Sequence, residues 1–290
     1  MNPGWFIAIL VGIVGLACLL RGIWEPTRLE VTHVVLPGCQ PLSGVQAAAE
    51  PADVLRVVLL TDLHMDRMRI PKARLLAALE PLNPDLVLFG GDLAGREAFE
   101  PAAAALLSRL RELPNLTGIP WLAVPGNHDS GDGMRLLQQA GVHVLRNQIH
   151  VHQIRGRAWQ VIGLDDRRQG TLDVDRALGE ARQTGLSPRH TLVLVHNPDS
   201  LLDLPPGQAA WFCGGHFHGG QIWMPFRLEF HVLRDEKLPR IGYDKGCLKL
   251  GDMTGCISRG LGCVLFPLRF FSLPEIVSLE IHVPKNESMT

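Results

Sequence analysis

The stretch VLRVVLLTDLH, residues 54–64, is an apolar, β-branched run that ends in the polar residues Asp62 and His64. An apolar run of this length without helical spacing is typical of a buried β-strand. Two similar runs that also end in polar residues follow it, DLVLFGGD (85–92) and IPWLAVPGNHD (119–129). Segments with apolar residues at helical spacing lie between these runs, at 71–82 and 98–112. Strands that alternate with amphipathic helices predict a layered α/β domain.

The rest of the chain continues this alternation. Further strands are predicted at 142–146, 149–155, 158–166, 191–199 and 209–220, and a helix at 171–185. The final segment IVSLEIHV (276–283) alternates apolar and polar residues, so we expect a half-buried strand that closes a second sheet.

Polar side chains follow five of the predicted strands at the point where each strand ends. They are Asp62 and His64, Asp92, Asn127 and His128, His196, and finally His216 and His218. Because the carboxyl ends of parallel strands meet at one rim of an α/β domain, we expect these side chains to form a single cluster. Glycine flanks the last pair on both sides in GGHFHGGQ (214–221), and glycine permits the tight turns that such a cluster requires.

The residue types in the cluster are those of a metal site. Three carboxylate or amide groups with four imidazoles suit divalent first-row metals such as Mn, Fe, Zn or Co rather than Ca or a soft thiolate-bound ion. This set is too large for one tetrahedral zinc, and it can hold two ions if one carboxylate bridges them. Each acid taken alone could instead be a turn or helix-cap residue, but five ordered contributions favour the metal site.

Five blocks in this order resemble the calcineurin-like metallophosphoesterases: DLH (62–64), GGD (90–92), GNHD (126–129), VH (195–196) and GHFH (215–218). The resemblance covers roughly residues 54–283. Later stretches resemble the membrane-anchored branch of that family: GGQIWMP (219–225), SRGLG (258–262) and FPLRFFSLPEI (266–276). That branch contains the YkuE- and YaeI-like phosphodiesterases and the chlamydial-type UDP-2,3-diacylglucosamine pyrophosphatase.

The resemblance implies a four-layer αββα sandwich with two divalent metal ions at its rim, Mn first, with Fe, Zn, Co or Mg as alternatives. The resemblance implies, by matching position, that Asp62, His64 and His218 bind the first metal. Asn127, His196 and His216 bind the second, and Asp92 bridges the two. The resemblance also implies that His128 stabilises the transition state or protonates the leaving oxygen. Arg259, in the matching SRGLG loop, is predicted to hold a substrate phosphate.

Residues 5–20, WFIAILVGIVGLACLL, contain no charged residue. Extended to Trp24, the segment is about 20 residues long and roughly spans a 30 Å hydrocarbon core. A cleaved signal peptide is the alternative, but a basic start and a small-residue cleavage site are both missing. We therefore expect a single-pass anchor at 1–24, a linker and first strand at 25–53 with a loop over 37–53, and a calcineurin-like phosphoesterase domain at 54–290.

Charge and cysteine content limit the location and the partners. Arg21 and Arg28 follow the apolar segment, and the positive-inside preference then places the catalytic domain in the cytoplasm, at the inner (plasma) membrane. The six cysteines form no CxxC pair, which favours a reducing compartment, although a Cys247–Cys256 or Cys256–Cys263 disulfide stays open. The 28 basic and 29 acidic residues nearly cancel, so we expect no nucleic-acid partner.

These features predict a membrane-anchored dinuclear phosphoesterase that hydrolyses a phosphodiester or a pyrophosphate. A lipid-linked substrate suits a site held near the bilayer, and the resemblance suggests UDP-2,3-diacylglucosamine of lipid A synthesis. A general phosphodiesterase and a non-catalytic metal-binding membrane scaffold are the alternatives. The apolar stretch IWMPFRLEF (222–230) is interpreted either as core or as a wall that faces lipid. His143, His150 and His152 lie outside the motifs and are interpreted as structural.

Overall fold

A computed structural model describes residues 3–36, 40–41, 54–232 and 234–283. In these ranges the helices are α1 (Pro3–Trp24), α2 (Lys72–Leu79), α3 (Glu100–Arg111), α4 (Gly131–Gln139), α5 (Val174–Gln183), α6 (Leu228–Val232) and α7 (Lys237–Arg240). The strands are β1 (Glu30–Leu36), β2 (Gln40–Pro41), β3 (Val54–Leu60), β4 (Leu86–Phe89), β5 (Trp121–Ala123), β6 (His143–Val144), β7 (Gln148–Ile154), β8 (Arg157–Gly163), β9 (Thr191–Leu194), β10 (Trp211–Gly214), β11 (Gly246–Leu250), β12 (Met253–Ile257) and β13 (Glu275–His282). Apart from β2, the loop predicted over 37–53 lies outside the described residues.

The described strands form two sheets. The first sheet has the order β2-β1-β13-β3-β4-β5-β6, and the second sheet has the order β11-β12-β10-β9-β8-β7. Neighbours from β3 to β6 are parallel, and so are β8, β9, β10 and β12. The carboxyl ends of the parallel strands in each sheet therefore lie at one edge.

The two sheets pack face to face, and helices cover their outer faces. Leu55, Val57 and Leu59 of β3 pack in one core with residues of the second sheet such as Trp159. The intervening Val58 packs with α2, α3 and α4 on the other face. Because successive residues of a strand point to opposite sides, an uninterrupted apolar run buries both faces of its sheet. A third apolar cluster lies between the second sheet and α5, so the predicted four-layer αββα sandwich is confirmed.

The strand at the end of the chain does not lie where the sequence pattern placed it. β13 pairs antiparallel with β3 and parallel with β1, so it joins the first sheet rather than closing the second. Val277, Leu279 and Ile281 of β13 are buried in the core between the sheets. An alternating pattern shows that one face of a strand is buried, but it contains no information about which strand lies beside it.

The hairpin of β11 and β12 was not predicted. The state of the cysteines in and after it decides the two disulfides that the sequence left open. Cys256 on β12 and Cys263 are free, buried thiols, so neither the Cys247–Cys256 nor the Cys256–Cys263 disulfide is present. Cys247 on β11 is disulfide-bonded. The described part of the chain therefore combines free thiols with an oxidised cysteine.

The apolar N-terminal segment forms the predicted helix. The segment Gly4–Thr27 is long and apolar enough to cross a membrane, and nearly all of it is exposed. The strand that follows it, β1, is integrated into the first sheet through its pairing with β13.

Candidate metal centre

Turns at the ends of five strands bring the predicted ligand residues together. Asp62 and His64 follow β3, Asp92 follows β4, Asn127 and His128 follow β5, His196 follows β9, and His216 and His218 follow β10. The described residues with metal-binding geometry form two groups: Asp62, His64 and His218, and then Asp92, His196 and His216. Ligand atoms within each group lie within 4.8 Å of one another, and all six residues are buried.

Asp92 connects the two groups. Its Oδ2 atom lies 3.3 Å from His64 Nε2 in the first group and 3.3 Å from His196 Nε2 in the second. The other oxygen, Oδ1, accepts a hydrogen bond of 2.9 Å from the backbone N–H of His128. Asn127 Oδ1 lies 3.1 Å from His196 Nε2, so the amide belongs with the second group. These contacts bring the predicted residues together, and the assignment of each one to a particular ion stays a prediction.

The backbone at these residues is strained. Asp62, His64 and Asp92 have φ angles of 51°, 38° and 59°, and His216 and His218 have φ angles of 68° and 51°. Non-glycine residues seldom adopt positive φ, and each such residue costs roughly 1–3 kcal/mol. Five strained residues in one cluster indicate that the surrounding structure holds these side chains in place for a function.

Glycines around the cluster have no room for a side chain. A Cβ atom at Gly215 would lie 2.3 Å from Asp62 Oδ2, and one at Gly126 would lie 2.2 Å from Asp92 Oδ1. Gly219 and Gly220 have φ angles of 56° and 83°, which only glycine adopts without strain. The glycines that flank the two histidines in GGHFHGGQ thus allow close approach of the backbone and a left-handed turn.

The Asp129 side chain connects the turn after β4 with the turn after β5. Its Oδ2 accepts hydrogen bonds of 2.8 Å from the N–H groups of Asp92 and Gly126, and its Oδ1 accepts one of 2.7 Å from Leu93. Burial, with Asp92 nearby, raises the pKa of Asp129 to about 7. The adjacent residue Ser130 caps α4, because its hydroxyl accepts a hydrogen bond from Gly133 N–H.

The electrostatics of the cluster favour a cation. Burial acts to raise the pKa values of Asp62 and Asp92, but nearby imidazoles, chiefly His218 for Asp62 and His196 for Asp92, hold both well below the usual range. Burial acts to lower the pKa of His196, yet Asp92 and Asp62 raise it to about 10. The two buried carboxylates therefore attract positive charge to this position. A divalent cation would experience the same attraction.

The charge of His216 and His218 and the orientation of His196 suit metal binding. Burial lowers the pKa of His218 to about 3 and also lowers that of His216, so both rings are neutral near pH 7, the form that binds metals. His196 Nδ1 lies 2.7 Å from Gly90 O, and this hydrogen bond leaves Nε2 facing the cluster.

Unpaired buried atoms provide a test of whether a metal fits. Asp62 Oδ1 and both ring nitrogens of His64 are buried and make no hydrogen bond of ordinary geometry to any described residue. Asp62 Oδ1 lies 3.2 Å from His218 Nε2, and His64 Nε2 lies 3.3 Å from Asp92 Oδ2. Leaving a buried polar atom unpaired costs about 1–3 kcal/mol. These atoms belong to the first group. A cation bound to Asp62 Oδ1 and to one ring nitrogen of His64 would remove much of that cost. The carboxylate, amide and imidazole donors therefore fit a divalent ion.

Sequence comparison identifies the family. The model of the calcineurin-like phosphoesterase family matches residues 55–220, which is more than half of the 290-residue chain. The chain belongs to the calcineurin-like phosphoesterase family. It is accordingly a metal-dependent phosphoester hydrolase, and its two residue groups point to a dinuclear site for divalent metals.

Three bacterial relatives are similar over most of their length. The chain is 31% identical to the phosphodiesterase YaeI of Escherichia coli, with 78% of this chain and 82% of that protein covered. It is 29% identical to the metallophosphoesterase YkoQ of Bacillus subtilis, with coverage of 78% and 83%. It is 28% identical to YkuE of the same organism, with coverage of 87% and 85%. The predicted likeness to YkuE and YaeI is confirmed.

Glu236 is a residue of this calcineurin-like site that the sequence did not indicate. Its Oε1 lies 2.8 Å from His216 Nε2, so the ring N–H donates to the carboxylate and Nδ1 faces His196. Arg168 and Arg234 lie 3.2 Å and 3.5 Å from the same oxygen. Burial acts to raise the pKa of Glu236, but His216 and Arg234 lower it to about 2. A carboxylate that orients a histidine in this way is common around metal sites.

Arg259, the predicted substrate-binding residue, has two carboxylate partners. Its guanidinium donates hydrogen bonds of 2.6 Å to Glu275 at the start of β13 and to Glu30 at the start of β1. Burial acts to lower the pKa of Arg259, but these two carboxylates raise it. Binding of a phosphate would have to compete with both pairs, and substrate binding by Arg259 stays a prediction.

Substitution of Gly126 by alanine should remove the metals. The added Cβ would collide with Asp92 Oδ1 at 2.2 Å and with Asp92 N at 2.5 Å, so the connecting carboxylate must move. Metal content per chain and phosphodiester turnover should both fall steeply. Gly131→Ala is the matched control, because a Cβ there has no neighbour within 4 Å. Normal metal content in Gly126→Ala would show that the tight fit around Asp92 is not required.

Substitution of Glu236 by glutamine should weaken metal binding by roughly 10–100-fold. An amide provides a poorer partner for His216 Nε2, so the ring loses its fixed orientation. The affinity for Mn²⁺ should be measured by titration of the metal-free protein. Glu80→Gln, the same substitution at an exposed residue just after α2, is the control and should leave the affinity unchanged. Equal affinities for Glu236→Gln and wild type would contradict the orienting role.

Proposed function

We propose that this protein is a membrane-anchored dinuclear phosphoesterase that hydrolyses a phosphodiester or a pyrophosphate. The observation that carries the proposal is the position of Asp92 Oδ2, 3.3 Å from an imidazole nitrogen of each residue group. Asp62, His64 and His218 would hold one ion, and Asn127, His196 and His216 would hold the other. Asp92 would bridge them. A pair of divalent ions activates a water for in-line attack and neutralises charge on the phosphoryl oxygens.

His128 is the residue proposed to act on the substrate. Its backbone N–H is fixed by Asp92, and its ring meets the His64 ring edge-on with centroids 5.3 Å apart. Burial lowers the pKa of His128, so the ring is neutral near pH 7 and retains one N–H to donate. A hydrogen bond from this N–H to a phosphoryl or leaving-group oxygen would stabilise the charge that develops there.

The proposed substrate is a phosphoester linked to lipid, with UDP-2,3-diacylglucosamine as the specific candidate. The supporting observation is α1, which is long and apolar enough to cross a membrane and would keep the site near the bilayer. A general phosphodiesterase is the second candidate, because the similar YaeI protein is named a phosphodiesterase.

Two features bear on the side of the membrane where the catalytic domain lies. Arg21 and Arg28 favour the cytoplasm by the positive-inside preference, whereas the disulfide at Cys247 favours an oxidising compartment.

Replacement of His128 by alanine should separate catalysis from metal binding. We expect both ions to be retained and turnover of bis-p-nitrophenyl phosphate with Mn²⁺ to fall about 10²–10⁴-fold, the usual contribution of a positioned proton donor. Asp92→Ala should instead lose bound metal, and His152→Ala, at an exposed residue, should change neither property. Wild-type turnover in His128→Ala would remove this residue from the mechanism.

A comparison of substrates tests the lipid-linked assignment. The detergent-solubilised protein should hydrolyse UDP-2,3-diacylglucosamine with a higher kcat/KM than UDP-glucose or cyclic nucleotides, because acyl chains add binding energy that the soluble compounds lack. The His128→Ala protein provides the background rate. A preference for the soluble nucleotides would favour the general phosphodiesterase.

A further inference from the structure

Five large apolar side chains are exposed on two neighbouring loops, and together they are named the apolar rim. They are Trp223, Phe226, Leu265, Phe266 and Phe271, with exposed fractions of 46%, 89%, 75%, 65% and 50%. The Trp223 and Phe271 rings meet edge-on with centroids 6.0 Å apart. The backbone N–H of Trp223 donates a hydrogen bond of 2.9 Å to the backbone carbonyl of Phe270. The two loops therefore meet at an apolar contact, and five large exposed apolar side chains on adjoining loops are unusual for an ordinary soluble surface.

The backbone of the rim is strained, and hydrogen bonds hold it in that form. Phe226, Leu265 and Phe271 have φ angles of 58°, 57° and 56°, a region that bulky residues avoid. Gln221 holds the loops together, since its amide donates to Val264 O at 2.9 Å and accepts from Val264 N at 2.7 Å. Strain that is maintained in this way is characteristic of functional segments. Here it accompanies three apolar side chains that remain exposed to solvent.

The apolar helix α1 ends on the same loops. Gly22 O, in the last turn of the helix, accepts a hydrogen bond of 3.1 Å from Arg269 N. The Arg21 guanidinium lies over the Phe271 ring, 3.7 Å from its centroid. The last turn of α1 is therefore attached to the loop that carries three of the rim residues, whereas the rest of the helix is exposed.

This attachment identifies what the rim contacts. About 20 helical residues cross the hydrocarbon core, so a bilayer that takes up α1 has its surface close to the last turn of the helix. Phe271, which contacts Arg21, would then lie at the depth of the lipid headgroups, where Trp and Phe side chains are stabilised. Trp24, which is 54% exposed at the end of α1, is a further aromatic residue at this level.

We propose that the apolar rim is a second membrane contact, which inserts into the bilayer interface beside α1 and fixes the position of the metal centre relative to the lipid headgroups. This inference rests on the proposed function as a membrane-anchored phosphoesterase. It adds that the catalytic domain lies against the lipid surface instead of moving freely on its anchor.

Hydrogen bonds connect the rim loops to the candidate ligands. Ser272 N donates to the buried Glu25 carboxylate at 3.3 Å, and Ser272 Oγ donates to His218 O at 2.6 Å. One residue thus joins the end of the helix to the turn of a candidate ligand. On the same loop, Gly262 N donates to Asp62 O at 2.7 Å. A rim held in the interface therefore places the centre to favour substrates whose phosphoester lies at the membrane surface.

Fluorescence quenching of the full-length protein in lipid nanodiscs tests this contact. The fluorophore NBD is attached to one exposed cysteine at a time, and phospholipids with a doxyl group near the headgroup quench it. Native Cys18, exposed on α1, reports on the anchor. Cys18→Ser/Phe226→Cys and Cys18→Ser/Leu265→Cys report on the rim at two independent positions. Cys18→Ser/Val151→Cys is the matched control, because Val151 is also apolar and 41% exposed but lies on β7.

We expect the labels at positions 226 and 265 to be quenched several-fold more strongly than the label at position 151. Quenching equal to that of the control, with the Cys18 label quenched, would overturn the rim contact and leave the anchor intact. A blue shift at position 226 without lipid quenching would also overturn it, because a second copy or another protein would then cover the rim. An unquenched Cys18 label would disprove the anchor and the rim contact together.

Turnover of bis-p-nitrophenyl phosphate in the same nanodiscs keeps the two proposals distinguishable. This soluble substrate reports on the metal centre without any need for lipid contact. Strong quenching at the rim without turnover would count against the proposed hydrolysis alone. Normal turnover with an unquenched rim would count against the membrane contact alone.

Discussion

The buried carboxylate of Asp92 is the interaction on which the centre depends. One of its oxygens lies 3.3 Å from an imidazole of His64, which follows a strand of the first sheet, and 3.3 Å from one of His196, which follows a strand of the second. Face-to-face packing of the sheets therefore brings the two residue groups together. A buried carboxylate is costly unless positive charge is supplied, so the same packing that buries Asp92 creates the affinity for cations.

The structure accepts local strain to keep this geometry. Five of the candidate ligands have positive φ angles, which are unfavourable for residues with a side chain. Glycines pack so closely against Asp62 and Asp92 that no side chain would fit at their positions. Buried hydrogen bonds offset the strain, among them those that Asp129 accepts from the turns after β4 and β5. Side chains that the surrounding protein holds in this way need little reorganisation during catalysis.

The apolar helix α1, the exposed aromatic loops and the candidate ligand turns are connected by direct contacts. The loop that carries Arg269 and Ser272 contacts the last turn of α1 on one side and His218 on the other. A domain attached only through a flexible linker would have no such contacts. The continuity supports the proposal that this phosphoesterase acts on substrates at a lipid surface.

The sequence alone determined the strands that end in polar residues, the apolar helix and the types of ligand, because these features depend on local spacing and on motif order. The αββα fold and the family followed from them and are confirmed. Only the tertiary structure decided the partners of β13, the pairing of Arg259 with Glu275 and Glu30, and the contact of Glu236 with His216. Each of these joins residues that are distant along the chain or separated by an irregular loop. Local periodicity contains no information about such contacts, because they exist only once the layers have packed.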